Sequence, residues 1–187
     1  MLSALLLDEF QPENDAERDR DLLEKLLEQG IIQDANGSLV YTVITTSIFN
    51  KDEENETKEA NIVAVNSVLE KYFKAVSFYI NGRITSVLFS TQRGHEKYLH
   101  IAVEEILEKV KRILGKNAIL GVGRLETGLS NMHKTYVESV KAIGYATKNK
   151  KGIYFISDME QYKNSAELIS EKALEIIDNH YMDPEIS

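Results

Sequence analysis

The hydrophobic pattern of the chain centres on residues 118–148, which indicate a strand, a sharp turn and a long helix. The run Ala118-Ile119-Leu120-Gly121-Val122 is apolar throughout, and a strand needs two apolar faces only when both are covered. We therefore expect an interior strand. After the turn 123–128, apolar residues recur at three- and four-residue steps along one helical stripe: Leu129, Met132, Tyr136, Val140 and Ile143. This helix is expected to pack back on the sheet.

The segments on either side carry simpler patterns. Residues Leu39–Phe49 are rich in Val, Ile, Thr and Tyr and predict a first strand after the turn signal Asn36-Gly37. Two helices are predicted from helical spacing of apolar residues, one through Ile62, Val65, Leu69 and Tyr72, the other through Leu99, Val103, Ile106, Val110 and Ile113. The short run Ile153–Ile156 can add a strand beside the central one.

A β-hairpin is predicted between these two helices. The runs Val76–Ile80 and Ile84–Phe89 flank Asn81-Gly82, and Asn-Gly supplies the positive φ angles of a tight hairpin turn. Two strand-helix-strand units joined through a hairpin predict an α+β fold: a ferredoxin-like sheet of about five strands with helices packed on one face, extended by one helix and one strand. We expect this domain to span residues 36–157.

Both ends of the chain are predicted to be helical linkers. Residues 1–35 include the charged helix Ala16–Gln29, which carries a leucine seam consisting of Leu22, Leu23, Leu26 and Leu27. Such a helix needs a partner surface, either the domain behind it or the same helix of a second chain, and the sequence leaves both open. Leu22, Leu23 and Leu26 are thus a candidate dimer seam. Residues 158–187 predict the linker helix Ser165–His180 and the start of another helix.

Composition and charge narrow the classes of function. The 187-residue chain has a formal net charge of −8 and no evident basic patch, so its average surface would repel nucleic acid. It has no cysteine, which excludes a disulfide framework and a thiolate metal site. The apolar start Leu2–Leu7 lacks a basic leader and is too short to span a bilayer. We expect a soluble, cytoplasmic protein without a membrane partner.

The turn after the central strand nearly matches a phosphate-binding loop. Residues 123–130 have the glycine spacing and the final serine, but Leu129 stands where the lysine must be, and Glu126 adds charge of the wrong sign. We interpret its glycines as easing a tight turn, with Ser130 or Thr127 capping the helix.

Other chemistry-bearing residues are scattered. The histidines are His95, His100, His133 and His180, and no two have the spacing that places a pair on one helical face, so no metal site is expected. Tyr136 lies on the apolar stripe, which favours a core position over ligand binding. We expect no catalytic residue and no cofactor. The candidate ligand or interface residues are Gly82, Arg83, Arg124 and Tyr136.

Two segments resemble the region before the DNA-binding module of AraC-type, YesN-like two-component response regulators. They are Gly121-Val122-Gly123-Arg124 with Leu129–Ala142, in which Thr135 and Ser139 replace the usual serine and alanine, and the tail Ile176–Ser187. The resemblance implies that the chain is the middle region of a homodimeric transcription regulator. A receiver would precede it, a helix-turn-helix domain would follow it, and DNA would be bound only through that absent C-terminal domain.

The predicted strand order is also similar to that of GGDEF and class III nucleotide cyclase domains. By position, Thr45 and Ser47 stand for the two metal-binding aspartates of active GGDEF domains, and Ile80–Ile84 stands at the hairpin motif. Neutral hydroxyls cannot hold Mg²⁺ against water as paired carboxylates do. The resemblance therefore implies a degenerate fold without the activity.

Two function hypotheses follow. The leading one is a non-catalytic signalling and dimerisation module that relays the receiver state to the DNA-binding domain. The alternative is a small-molecule sensor, with nucleotides among the candidate ligands, whose cyclase-like cleft would use Gly82, Arg83 and Arg124.

Overall fold

The computed structural model of the protein describes residues 2–33, 39–49, 58–149 and 152–159. The chain divides into two units, Met1–Ile156 and Ser157–Ser187. The predicted boundary between residues 157 and 158 lies one residue from this division, whereas the predicted helix Ser165–His180 and the tail after it lie outside the described residues. The described helices are α1 Leu2–Leu7, α2 Ala16–Glu28, α3 Lys58–Leu69, α4 His95–Ile113 and α5 Met132–Asn149, and a 3₁₀ turn, Leu129–Asn131, leads into α5.

The strands of the first unit form one mixed sheet in the order β2-β3-β1-β4-β5. They are β1 Leu39–Phe49, β2 Lys74–Ile80, β3 Arg83–Thr91, β4 Asn117–Val122 and β5 Ile153–Phe155. Every pair is antiparallel except β4 with β5. The first four strands interleave two strand-helix-strand units in the ferredoxin-like arrangement. The predicted α+β fold with about five strands is confirmed, and so is the interior position of the central strand, because β4 pairs with β1 and β5.

The β2–β3 hairpin forms as predicted. Asn81 has a φ of 52° and Gly82 a φ of 77°, and Ile80 pairs with Arg83 across the two-residue turn. Both central residues of such a turn need positive φ, which Asn and Gly adopt at the least cost.

Helices cover both faces of the sheet, so the prediction that they pack on one face is wrong. Alternate residues of β1 point to opposite sides: Ile44 packs in one core with α3 and α4, whereas Tyr41 and Val43 pack in a second core with α1, α2 and α5. All three side chains are fully buried. A strand that is apolar on both faces requires cover on both faces, and α5 with the N-terminal helices supplies the second layer.

The N-terminal helices belong to this second core, which corrects the prediction that residues 1–35 form a separate linker. Leu6 and Leu26 are fully buried, and Leu22 is nearly so. They pack with Tyr41 and Phe89 of the sheet. The candidate dimer seam is thus occupied within the chain: Leu22 and Leu26 are core residues, and the partly buried Leu23 packs against the same cluster. The leucine seam therefore packs against the sheet of its own chain.

Glycines set the distance between β4 and α5. A Cβ on Gly121 would lie 2.0 Å from the Ser139 carbonyl oxygen, and one on Gly123 would lie 2.4 Å from the Thr135 carbonyl oxygen. Neither contact is sterically allowed, so the helix backbone can rest on the strand only because both positions lack a side chain.

Candidate functional site

The predicted anion-binding residues do not converge. Gly82 and Arg83 lie at the β2–β3 turn, where the β1–β3 pairing ends at Thr46 and Ile84. Arg124 lies beyond the opposite end of the β1–β4 ladder, next to Gly123, whose N–H donates to the Val43 carbonyl at 2.9 Å. At about 3.3 Å per residue along β1, the two arginines are separated by roughly 15 Å in the strand direction. One small anion cannot contact both.

Arg124 instead pairs with a buried carboxylate on α5. Its Nε lies 2.9 Å from Glu138 Oε2, and the Glu138 side chain is only 10% exposed. Burial raises the pKa of Glu138, and the positive charge of Arg124 opposes that rise. Tyr136, two residues earlier, is nine-tenths buried in the second core, with its ring centroid 6.4 Å from that of His133. The core interpretation of Tyr136 therefore fits its position.

The turn that resembles a phosphate-binding loop is closed by a carboxylate from α2. Asp19 Oδ1 accepts a hydrogen bond from the Ser130 N–H at 2.6 Å. The helix N-terminus favours negative charge there because its N–H groups are unpaired and its dipole is positive. Asp19 thus takes the place that a phosphate would need. At the 3₁₀ turn that leads into α5, the cap residue is Gly128 rather than the predicted Ser130 or Thr127, and the carboxylate at this end comes from α2.

Further polar contacts join the N-terminal segment to the start of α5. Asn14 and Asn131 bond reciprocally: the Asn14 N–H donates to Asn131 Oδ1 at 2.9 Å, and Asn131 Nδ2 donates to Asn14 Oδ1 at 3.0 Å. The Asp15 N–H donates to Ser130 Oγ at 3.2 Å. We call the set Asn14, Asp15, Asp19, Ser130 and Asn131 the N-terminal junction.

A further hydrogen bond joins the N-terminal segment to the second residue of α5. His133 Nδ1 donates to the Leu6 carbonyl at 2.7 Å, so α1 is bonded to α5, whereas α2 bonds to the 3₁₀ turn that leads into it. The junction could not have been found from the sequence, because its partners lie more than 110 positions apart. Only one local signal existed: Asp15 caps α2 by accepting from the Arg18 N–H at 3.1 Å.

Of the two hydroxyls at the GGDEF-equivalent positions, that of Thr45 has a structural partner. Ser139 donates to the Tyr136 carbonyl at 2.6 Å, so the 2.7 Å contact between Thr45 and Ser139 is a bond donated by Thr45. Both side chains are almost completely buried where α5 packs on β1. Ser47, two residues along β1, is half-buried. A metal ion at Thr45 would have to displace the helix that covers it.

A buried histidine on the opposite face was considered in the sequence only as a metal ligand. His95 is 1% exposed and lies between Thr42 and Ser90, with Nε2 2.9 Å from Thr42 Oγ1 and Nδ1 2.5 Å from Ser90 Oγ. Ser90 donates its proton to the Thr91 carbonyl, so we assign the histidine proton to Nδ1, and Nε2 then accepts from Thr42. Burial lowers the pKa of His95 to about 4.

The described residues contain neither a cluster of metal ligands nor a membrane-spanning helix. No three His, Asp or Glu side chains there group closely enough to hold a metal ion. No helix in the same ranges is both long and apolar enough to cross a membrane.

Comparison with known proteins gives no family assignment. No protein-family model matches the chain, and no curated protein sequence matches it significantly. The inference about function therefore depends on the residues and their contacts.

Proposed function

We propose that the protein is a non-catalytic signalling and dimerisation module of a DNA-binding, AraC-type response regulator. In this role it lies in the cytoplasm between a receiver and a helix-turn-helix domain, pairs with a second copy, and binds no cofactor. The resemblance of Gly121–Arg124 and Leu129–Ala142 to that family motivates the proposal. The use of Thr45 in a buried bond to Ser139 supports the non-catalytic part, because this hydroxyl is not free to bind a ligand.

The observation that carries the proposal is the N-terminal junction. Asp19 of α2 caps the turn that begins α5, and Asn14 and Asp15 add three hydrogen bonds to the same turn. A shift of α2 would break these contacts or move the start of α5 with it. After α5, the chain passes through β5 into its second unit. The junction is thus a route by which a change before α2 can reach whatever follows α5.

The route can be tested by removing the cap in the full-length regulator. We expect Asp19→Ala to abolish the difference in target transcription between signal and no signal at unchanged protein level, because the charged cap is lost. The cap itself contributes about 1 kcal/mol to stability. Asp21→Ala is the matched control, since Asp21 is an exposed aspartate on the same helix. Transcript sequencing with and without signal gives the comparison.

Distinct results would contradict distinct parts of the proposal. A normal signal response in Asp19→Ala, with the junction shown by hydrogen exchange to be open, would remove the relay. A full reading frame that encodes neither a receiver upstream nor helix-turn-helix units downstream would remove the family assignment. Light scattering that finds only monomers at high concentration would remove the dimer.

A further inference from the structure

The outer edge of the sheet at β2 presents backbone groups to a further strand. Across the two-residue turn, Ile80 and Arg83 form the hydrogen-bonded pair, and bonded pairs alternate along an antiparallel ladder. Ala75, Ser77 and Tyr79 therefore direct their N–H and C=O groups away from β3. Within the described ranges, β2 is the terminal strand of the sheet.

Apart from Lys74 at its start, the edge lacks, within the part of the chain that the structure describes, the devices that commonly protect such strands. Between Ala75 and Ile80 there is neither a proline nor a charged residue. The pairing with β3 runs without a bulge from Lys74 opposite Phe89 to Ile80 opposite Arg83. Natural edge strands are usually blocked by charges, prolines or bulges, so an unblocked edge of this length is suited to pairing.

A groove runs beside this edge, between β2 and α3. It has a volume of about 430 Å³, and its lining includes Ile62 and Val63 on the helix and Ala75 and Ser77 on the strand. Val63 is 64% exposed, although it is a large apolar residue. Among the described residues that line the groove, Glu70 is the one that carries a charge. A groove between an edge strand and a helix is the arrangement in which extended peptides bind by strand addition.

Charge argues against a second copy of this chain as the occupant. Ser77 Oγ donates to Asn66 Oδ1 at 2.7 Å, so Asn66 is level with the middle of β2. If two β2 strands paired about a twofold axis at Ser77, the two α3 helices would run side by side in opposite directions. Glu70 of each would then face Ile62 and Val63 of the other, so both carboxylates would be desolvated beside apolar side chains.

We propose that β2 and α3 bind an extended peptide segment of another protein that carries two apolar residues and then a basic residue at alternate positions. The peptide adds antiparallel to β2, with its apolar side chains against Ile62 and Val63 and its lysine or arginine at Glu70. Antiparallel addition fixes the order, because the Glu70 end of α3 lies beside the start of β2. This site is independent of the N-terminal junction.

Titration of the ¹⁵N-labelled 187-residue chain with acetyl-Thr-Val-Thr-Val-Thr-Lys-Thr-amide tests the proposal. We expect saturable shifts of the amide signals of Ala75, Ser77 and Tyr79, and slower exchange of these amides with solvent. The variant Glu70→Lys should bind this peptide about fivefold more weakly, the effect of one exposed ion pair. A peptide with glutamate in place of its lysine should restore binding to that variant.

Each alternative result overturns the site. Shifts that stay absent at millimolar peptide, or that fall outside β2 and α3, would show that no strand adds here. If Glu70→Lys and the replacement of the peptide lysine by glutamate both leave binding unchanged, Glu70 does not recognise a basic residue. Sedimentation that reveals self-association, with the same three amides protected on dimerisation, would assign the edge to a second copy instead. Glu70 is exposed, so its replacement should leave the fold intact.

Discussion

A single buried histidine shows how much one residue can depend on its surroundings. His95 is neutral because the described residues around it provide an acceptor and a donor but no anion to balance a positive charge: Ser90 accepts from one ring nitrogen and Thr42 donates to the other. The ring also meets Phe73 edge-on, with centroids 4.9 Å apart. Protonation would cost the bond from Thr42 and place a charge in an apolar core.

This arrangement predicts a loss of stability in mild acid. The folded-state pKa of His95 is about 4, below the ordinary 6.5, so the unfolded chain takes up the proton first as the pH falls. The contribution of His95 to the free energy of unfolding is complete above pH 6.5. It is lost as the pH falls from 6.5 to 4, by up to about 3 kcal/mol. Urea unfolding across this range should show that His95→Asn has a shallower pH dependence than the wild type.

The control for this experiment is His100→Asn on the same helix. His100 is exposed, with its ring stacked on Phe155. This variant keeps the buried His95 ring and its hydrogen bonds, so the loss of stability in mild acid should persist in it. An equal slope in wild type and His95→Asn would mean that His95 is not the group that titrates.

At the scale of elements, the contact between β4 and α5 brings the backbone of the helix directly against that of the strand. It depends on Gly121 and Gly123, which let the helix backbone lie directly on the strand. The same closeness buries Ser139 against Thr45. The position of α5 is therefore fixed by backbone contact as well as by side-chain packing, which suits an element that must keep its place relative to the sheet.

Two glycine substitutions should have effects of opposite sign. Gly121→Ala would force α5 away from the strand, and we expect a loss of about 2–3 kcal/mol of unfolding free energy from overpacking. A Cβ added at Gly144 of α5 would meet no other atom within 4 Å. Gly144→Ala should therefore raise the unfolding free energy by up to about 1 kcal/mol, because alanine has the higher helix propensity. Chemical denaturation of both variants measures this, and equal effects would show that the contact is not tight.

Elements with a clear local pattern were predictable from the sequence. The alternation around Asn81-Gly82 and the apolar run before Gly121 depend only on neighbouring residues, so the hairpin and the interior strand were both correctly expected. The N-terminal junction was not predictable, because Asp19 and Ser130 are polar residues whose relation exists only after folding. The double cover of the sheet was missed for a similar reason: the sequence showed that the leucine seam needed a surface but not which one.

At the scale of the whole molecule, α1 and α2 form part of the second core. Leu2, Leu5 and Leu6 of α1 are buried together with Leu22 and Leu26 of α2. They close a sheet face that would otherwise expose Tyr41 and Phe89. The stability of the sheet domain should therefore depend strongly on a segment that the sequence suggested was a linker.

Two adjacent leucines of α1 provide the test. Leu6 is fully buried and Leu7 is 51% exposed. We expect Leu6→Ala to lower the unfolding free energy by about 3 kcal/mol, because it leaves a cavity, and Leu7→Ala to change it by less than about 0.5 kcal/mol. Thermal and urea denaturation report both. Similar losses for the two variants would indicate that α1 docks in another way.

The long span of the N-terminal junction also sets an order of events during protein synthesis. The Asn14 bond closes over 117 residues and the Asp15 bond over 115. The first helices leave the ribosome before the start of α5, so the junction bonds cannot form until residues 130 and 131 have followed them. Until then, the second core lacks the side that α5 supplies, and the nascent chain must keep the leucines of α1 and α2 from other apolar surfaces.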